Sequence, residues 1–227
     1  MIRENIDRIR ASVADICRSA DRDPQEIVII GVTKYSDIQS IQQAVDAGLQ
    51  HIAENRLQQA VAKYSNFGHI TRHMIGHLQT NKVKQAVQLF DMIQSVDSLD
   101  LAKEIDRQCA RIHRTIDVLL QVNTSGEAQK FGVAPDHAAD LLKHLEGCPT
   151  VHVKGLMTIG PLTQDKIEIR GCFRRLHDIF QEMEQDFRGS KNICMQYLSM
   201  GMSDDYPIAL EEGANMLRIG RAIFQVG

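Results

Sequence analysis

The stretch EIVIIGVTKYSDIQSIQQAVDAG, Glu26–Gly48, sets the pattern for the whole chain. Ile27 to Ile30 are four β-branched residues in a row, which favour a strand, and Gly31 and Val32 carry the apolar run towards Lys34. SDIQSIQQAVDAG then reads as a helix closing on Gly48, because glycine readily takes the left-handed conformation that ends helices. A buried strand followed at once by a helix is one βα unit, and such units stack side by side into a parallel sheet.

The unit recurs down the chain. HIAEN precedes RLQQAVAKYSNF, TRHMIGHL precedes TNKVKQAVQLF, and DMIQSV precedes SLDLAKEIDRQCARIH. TIDVLLQVN leads to DHAADLLKHLEG, VHVKGLMTI to DKIEIRGCFRRLHDIFQEMEQDF, MQYLSMGM to DDYPIALEEG, and NMLRIGRAIF comes last. Eight units in about 200 residues match the closed (β/α)8 barrel at the short end of its range. Counting alone leaves an open, doubly wound sheet as the other solution. Ahead of the units, Ile2, Ile6, Ile9, Val13 and Ile16 recur at helical spacing, so residues 1–20 form an amphipathic helix that caps the barrel bottom or packs on a partner. No Pro/Gly/Ser-rich linker divides the chain, which reads as one domain over 1–227, with the barrel over 27–227.

Bulk composition narrows the function. With 43% hydrophobic and 24% charged residues among 227, the chain has enough apolar side chains for one sizeable core. A net charge of -3 and a pI of about 6.3 argue against nucleic acid as a partner. Five cysteines without a CxxC pair suit a reducing compartment. The first 20 residues lack an apolar signal core, and no run reaches the ~18 apolar residues of a membrane span. The expectation is a cytoplasmic protein.

Parallel α/β folds work at the carboxyl ends of their strands. That rule selects Lys34, Asn55, His77, Asn123, Met157, Ser199, Gly201, Arg218, Gly220 and Arg221. Alternation along the last strand turns Met216, Arg218 and Gly220 inward. A buried guanidinium cannot shed its proton, so it needs a partner, either a bound ligand or an interior acid. The same parity puts Lys34 on the face of Val28, Ile30 and Val32, near Arg218 across the closing pair of strands. A neighbouring cation favours the neutral amine, which attacks aldehydes; the plain alternative is a strand-end surface lysine. Glycines in LSMGMSDD and IGRA follow neighbouring strands where barrels build phosphate cradles. His69, His73 and His77 fall four apart, but in a strand without a nearby carboxylate they read as packing, so no metal site is expected. Glu127 and Lys130 read as an internal salt bridge, DDYPIALEE as a solvated helix face, and Met74, Met92 and Met157 as core.

The segments VTKYSDIQSIQQAVDAG, AENRLQQA, HMIGHLQTNKVK, QVNTSGEAQKFG, VKGLMTIG and LSMGMSDDYPIALEEGANMLRIGRAIF together resemble the pyridoxal 5′-phosphate (PLP) homeostasis proteins, single-domain relatives of bacterial alanine racemase. The resemblance implies that Lys34 holds PLP as a Schiff base, with Asn55 beside it. It implies that Ser199 and the backbone of Gly220 and Arg221 hold the phosphate, that Gly201 shapes the loop, and that Arg218 faces the pyridine nitrogen. Ala53 and Gln225 stand where the family commonly has glycine, and Ala53 is expected to press on the loop near the cofactor. An arginine at the ring nitrogen has no site to give up a proton and take one back, which leaves the ring a weak electron sink. A racemase would also need a second acid/base, for which the barrel leaves no additional domain. The resemblance therefore implies a monomeric PLP carrier or reservoir serving PLP-dependent apoenzymes, rather than an enzyme. A PLP-dependent racemase using Lys34 as base is the alternative, and a cofactor-free Schiff-base aldolase the remote one.

Overall fold

A computed structural model describes residues 1–64, 67–127 and 129–225. Three expected segments touch residues outside these: the run through Phe67 at Ser65 and Asn66, the polar loop at Ala128, and the barrel's end at Val226 and Gly227.

Eight parallel strands close on themselves in chain order. They are β1 (Val28–Val32), β2 (His51–Glu54), β3 (Thr71–Met74), β4 (Met92–Val96), β5 (Ile116–Gln121), β6 (Val151–Met157), β7 (Ile193–Ser199) and β8 (Met216–Ile219). Closure rests on β8 pairing with β1, with Val28 opposite Met216 and Ile30 opposite Arg218. The open-sheet alternative is excluded. Between strands run α2 (Ile38–Asp46), α3 (Leu57–Tyr64), α4 (Val83–Leu89), α5 (Leu99–Arg111), α6 (Ala138–Leu145), α7 (Lys166–Asp186) and α8 (Tyr206–Glu211). A short α9 (Arg221–Phe224) follows β8. None of the described helices is long and apolar enough to cross a membrane.

Local chemistry explains the boundaries. The Asp37 carboxylate accepts the Ser40 N–H at 2.7 Å to start α2, and Asp165 does the same for Ile167 at 2.8 Å to start α7. Gly48 at φ +84° ends α2 as its sequence position requires.

Two apolar layers result. Ile30, Ala53, Met92, Leu119, Met157 and Met216 fill the lumen, while a larger set lies between sheet and helices. Val28, Ile30 and Val32 face the lumen, so the parity read for β1 and β8 holds. Ala53 packs in this inner layer rather than against a loop.

The N-terminal helix, α1 (Ile2–Ser19), does not cap the barrel bottom. It buries Ile6, Ile9, Val13 and Cys17 on the barrel's outside, against α2, α8 and α9. Asn5 donates to the Ile223 carbonyl at 3.1 Å, and Tyr206 donates to Ser12 at 2.9 Å. A second expectation also fails: Glu212 of DDYPIALEE is buried, with Arg170 at 2.5 Å and Arg174 at 3.0 Å, because α7 brings two arginines against it.

The sheet slips register between β6 and β7 at Gly155. Gly155 sits at φ +143°, and a Cβ there would lie 1.9 Å from the Tyr197 carbonyl oxygen. We expect Gly155→Ala to cost about 3 kcal/mol or more through backbone strain and clash, measured by urea denaturation.

Candidate functional site

A cavity of about 330 Å³ opens at the carboxyl ends of the strands, within the size range of small-molecule sites. Lys34 and Val32 enter it from β1, Asn55 from β2, Ile75 from β3, Met202 and Ser203 from β7, and Arg218, Gly220 and Arg221 from β8. Five of the seven residues that the resemblance assigned to the cofactor thus line one cavity, Lys34, Asn55, Arg218, Gly220 and Arg221. Ser199 and Gly201 lie behind it.

Lys34 is half-buried, two residues beyond the end of β1. Its Nζ makes no hydrogen bond or ion pair among the described residues, and its one recorded contact is the Tyr35 ring, 5.1 Å from Nζ to the centroid. The backbone beneath it is fixed firmly. Buried Thr33 donates its hydroxyl to Glu54 Oε1 at 2.9 Å, and Lys63 donates to both the Thr33 carbonyl (2.7 Å) and Glu54 Oε1 (2.8 Å). Glu54 is fully buried and Lys63 is 15% exposed. The Tyr64 hydroxyl completes the cluster 3.1 Å from Thr33, and burial pushes its pKa up. Sequence gave no hint of this base, because Glu54 and Lys63 read as ordinary members of a strand and a helix.

Arg218 is 4% exposed and has no carboxylate partner among the salt bridges of the described residues. One terminal nitrogen donates to Ser199 Oγ and the other to the Thr158 carbonyl, both at 2.7 Å. Burial pulls its pKa down to about 10, with Asp205 opposing the shift, so it stays protonated at neutral pH. Its five N–H donors are not exhausted by these two bonds, and it borders the cavity.

Ser199 was selected as a phosphate ligand, yet its hydroxyl is fully buried and donates to Gln94 Oε1 at 2.7 Å. Gly201 shapes its loop: at φ +91° its Cβ would meet Ala209 at 2.6 Å. The hydroxyl at the cavity wall belongs to Ser203, which accepts the Ala222 N–H at 3.2 Å and so keeps its own proton to donate. The strand-end rule did not select Ser203; its neighbourhood with β8 is set by the fold. The Arg221 side chain pairs with Asp204, and both residues line the cavity. Glu127 and Lys130 form their internal salt bridge at 2.6 Å. His73 lies in the lumen, and His77 stacks on Phe131 with ring centroids 3.9 Å apart.

A lysine, a buried arginine, a serine hydroxyl and the backbone N–H of Arg221 at the start of α9 border the cavity beside apolar Val32, Ile75, Ile159 and Met202. Two carboxylates line it as well, Asp204 paired with the Arg221 side chain and Asp205 accepting the Met202 N–H. This donor set suits a small planar anion carrying a carbonyl.

Comparison with known proteins agrees with this geometry. Residues 4–226 match the alanine racemase N-terminal domain. The pyridoxal phosphate homeostasis protein of Aquifex aeolicus is 34% identical over 97% of this chain and 96% of its own length, and that of Pseudomonas aeruginosa 33% identical over 98% and 94%. The chain belongs to the pyridoxal phosphate homeostasis protein family. PipY of Synechococcus elongatus, solved with PLP bound, matches with a TM-score of 0.86 and 32% identity, covering 99% of this chain and all of that one. Alanine racemase of Clostridium difficile shares the fold, at a TM-score of 0.77 and 14% identity; this chain spans 56% of it.

Two outcomes follow for members of this family built in this way. Glu54→Leu should cost about 3 kcal/mol in urea denaturation, because it removes one partner from a buried ion pair. Burial and the adjacent His51 pull the His73 pKa to about 3, below the ~6.5 of an unfolded histidine. The unfolded chain therefore binds a proton that the native state refuses. From this residue alone, stability should fall as pH drops from about 6.5 towards 3, by up to about 1.4 kcal/mol per pH unit, while the native His73 ring shows no NMR titration above pH 5.

Proposed function

We propose that this chain binds PLP as a Schiff base on Lys34 and buffers or delivers it inside the cell, without strong catalytic activity. One observation carries the reading: a strand-end lysine without an ion-pair partner among the described residues shares a cavity with a buried, charged arginine. The PLP homeostasis relatives and the PLP-bound PipY structure support it. PLP supplies an aldehyde that condenses with amines. The protein's part is to hold, orient and shield it.

In this reading Lys34 provides the amine from a backbone pinned by Thr33, Glu54 and Lys63. Ser203 donates its hydroxyl to the phosphate, with the backbone of Gly220 and Arg221, while Asn55 lines the side of the ring. Arg218 faces the ring nitrogen. A guanidinium offers donors only, so that nitrogen keeps its lone pair and the ring withdraws electrons weakly. The tyrosines supply no second base: Tyr35 is 84% exposed, Tyr64 is fully buried, Tyr197 lies in the lumen, and Tyr206 is bonded to Ser12. These features favour a carrier over a racemase.

Purified protein given PLP and freed of excess should show a visible absorption band that borohydride bleaches and that Lys34→Ala lacks. A wild-type protein without the band would overturn the reading and turn attention to sugar phosphates at the same lysine.

A further inference from the structure

Arg218 is the end of a hydrogen-bond chain that crosses the barrel interior. Its guanidinium donates to Ser199 Oγ at 2.7 Å, and Ser199 donates to Gln94 Oε1 at 2.7 Å. The Gln94 amide nitrogen lies 3.0 Å from His73 Nδ1, and His73 Nε2 lies 3.0 Å from His51 Nδ1. The route runs from the end of β8 through β7, β4 and β3 to the start of β2. Ser199, Gln94 and His73 are all essentially closed to solvent.

The chemistry of the arginine orders every bond in this chain. A guanidinium has no acceptor, so Ser199 must accept from it and send its single proton to Gln94. Gln94 takes that proton at its carbonyl oxygen, which leaves its amino group to face His73 Nδ1 as donor. His73 therefore carries its proton on Nε2 and donates to His51 Nδ1. The Gln94 nitrogen also meets the Met216 sulfur at 3.3 Å, which holds the amide in this orientation. None of the residues of the chain before Arg218 lines the cavity.

We propose that Ser199, Gln94 and His73 are positioning residues that aim Arg218 at the cofactor ring, and that Ser199 serves in this role rather than as a phosphate ligand. The proposal rests on the PLP reading above. It is distinct from packing: an apolar side chain at position 94 would fill the lumen yet leave the Ser199 proton without its acceptor, so that the Ser199 hydroxyl is no longer oriented and only the Thr158 carbonyl holds the guanidinium firmly.

The test compares PLP affinity by equilibrium dialysis, the visible spectrum of bound PLP, and apoprotein melting in wild type, Gln94→Leu, Ser199→Ala and Gln94→Glu. Loss of one bond in a chain that ends on a charge should weaken PLP binding about tenfold in Gln94→Leu and Ser199→Ala. The bound band should shift in both, while borohydride still fixes PLP to Lys34. In Gln94→Glu the carboxylate again accepts from Ser199, with His73 donating from Nδ1, so affinity and band should return towards wild type. Wild-type affinity and spectrum in both broken variants, whatever their melting temperatures, would overturn the proposal. If Gln94→Leu fails to fold, Ser199→Ala decides on the same two outcomes. A wild type that binds no PLP would overturn the cofactor reading and this one with it; unaffected variants beside a PLP-binding wild type would overturn only this one.

Discussion

The pairing of the last strand with the first is the constraint on which the rest depends. With Ile30 opposite Arg218 and Gly31 opposite Ile219, two segments nearly 190 positions apart in sequence become neighbours. Lys34 and Arg218 then border one cavity, and Ser203 and α9 close it from the same side. A one-residue slip in that pairing would turn Arg218 out under the helices and an apolar neighbour into the mouth. The lumen-facing set of Val28, Ile30, Val32 and Met216 makes such a slip expensive, since it would move all of them at once.

The buried charge is kept tolerable by polar groups that carry no charge of their own. Arg218 relies on a hydroxyl and a carbonyl, with Asp205 acting only at a distance. A carboxylate in direct contact would neutralise the guanidinium and weaken its pull on a bound anion. Neutral partners satisfy two of its donors while leaving its charge available to the cavity. At the other side of the mouth the logic is reversed: Glu54 and Lys63 neutralise each other beneath Thr33, so the strand end is rigid and Lys34 stands clear of that ion pair.

The barrel was legible in the sequence because its signal is repetitive: each unit pairs a β-branched run with an amphipathic helix, and eight units leave few topologies. Inward parity at β1 and β8 followed from alternation, which placed Lys34 and Arg218 correctly. What could not be read was any contact between elements distant in sequence. Ser199, the last residue of β7, and Ser203 lie four positions apart on either side of Gly201, and only the turn at that glycine decides which hydroxyl sinks into the lumen and which borders the cavity. Glu212 looked solvated because its neighbours are acidic; the arginines of α7 that bury it lie about 40 residues earlier. The same limit hid Gln94 and His73, whose partners sit on other strands. The direction of α1 was likewise invisible, since an amphipathic stripe says that a face is buried but not against what.

The position of α1 bears on how the molecule is made. It ties α2 to α8 and α9, joining the first and last βα units across the seam through bonds such as Asn5 to Ile223 and Ser12 to Tyr206. Contacts of such long sequence separation are slow to form, because the chain must close its longest loop to reach them. A chain emerging from synthesis can build its early strands and helices but not the mouth, whose two halves come from opposite ends. Binding competence therefore arrives in one late step. A ligand held there stabilises only the closed barrel, acting as a clasp on the seam and having no purchase on partly folded chains.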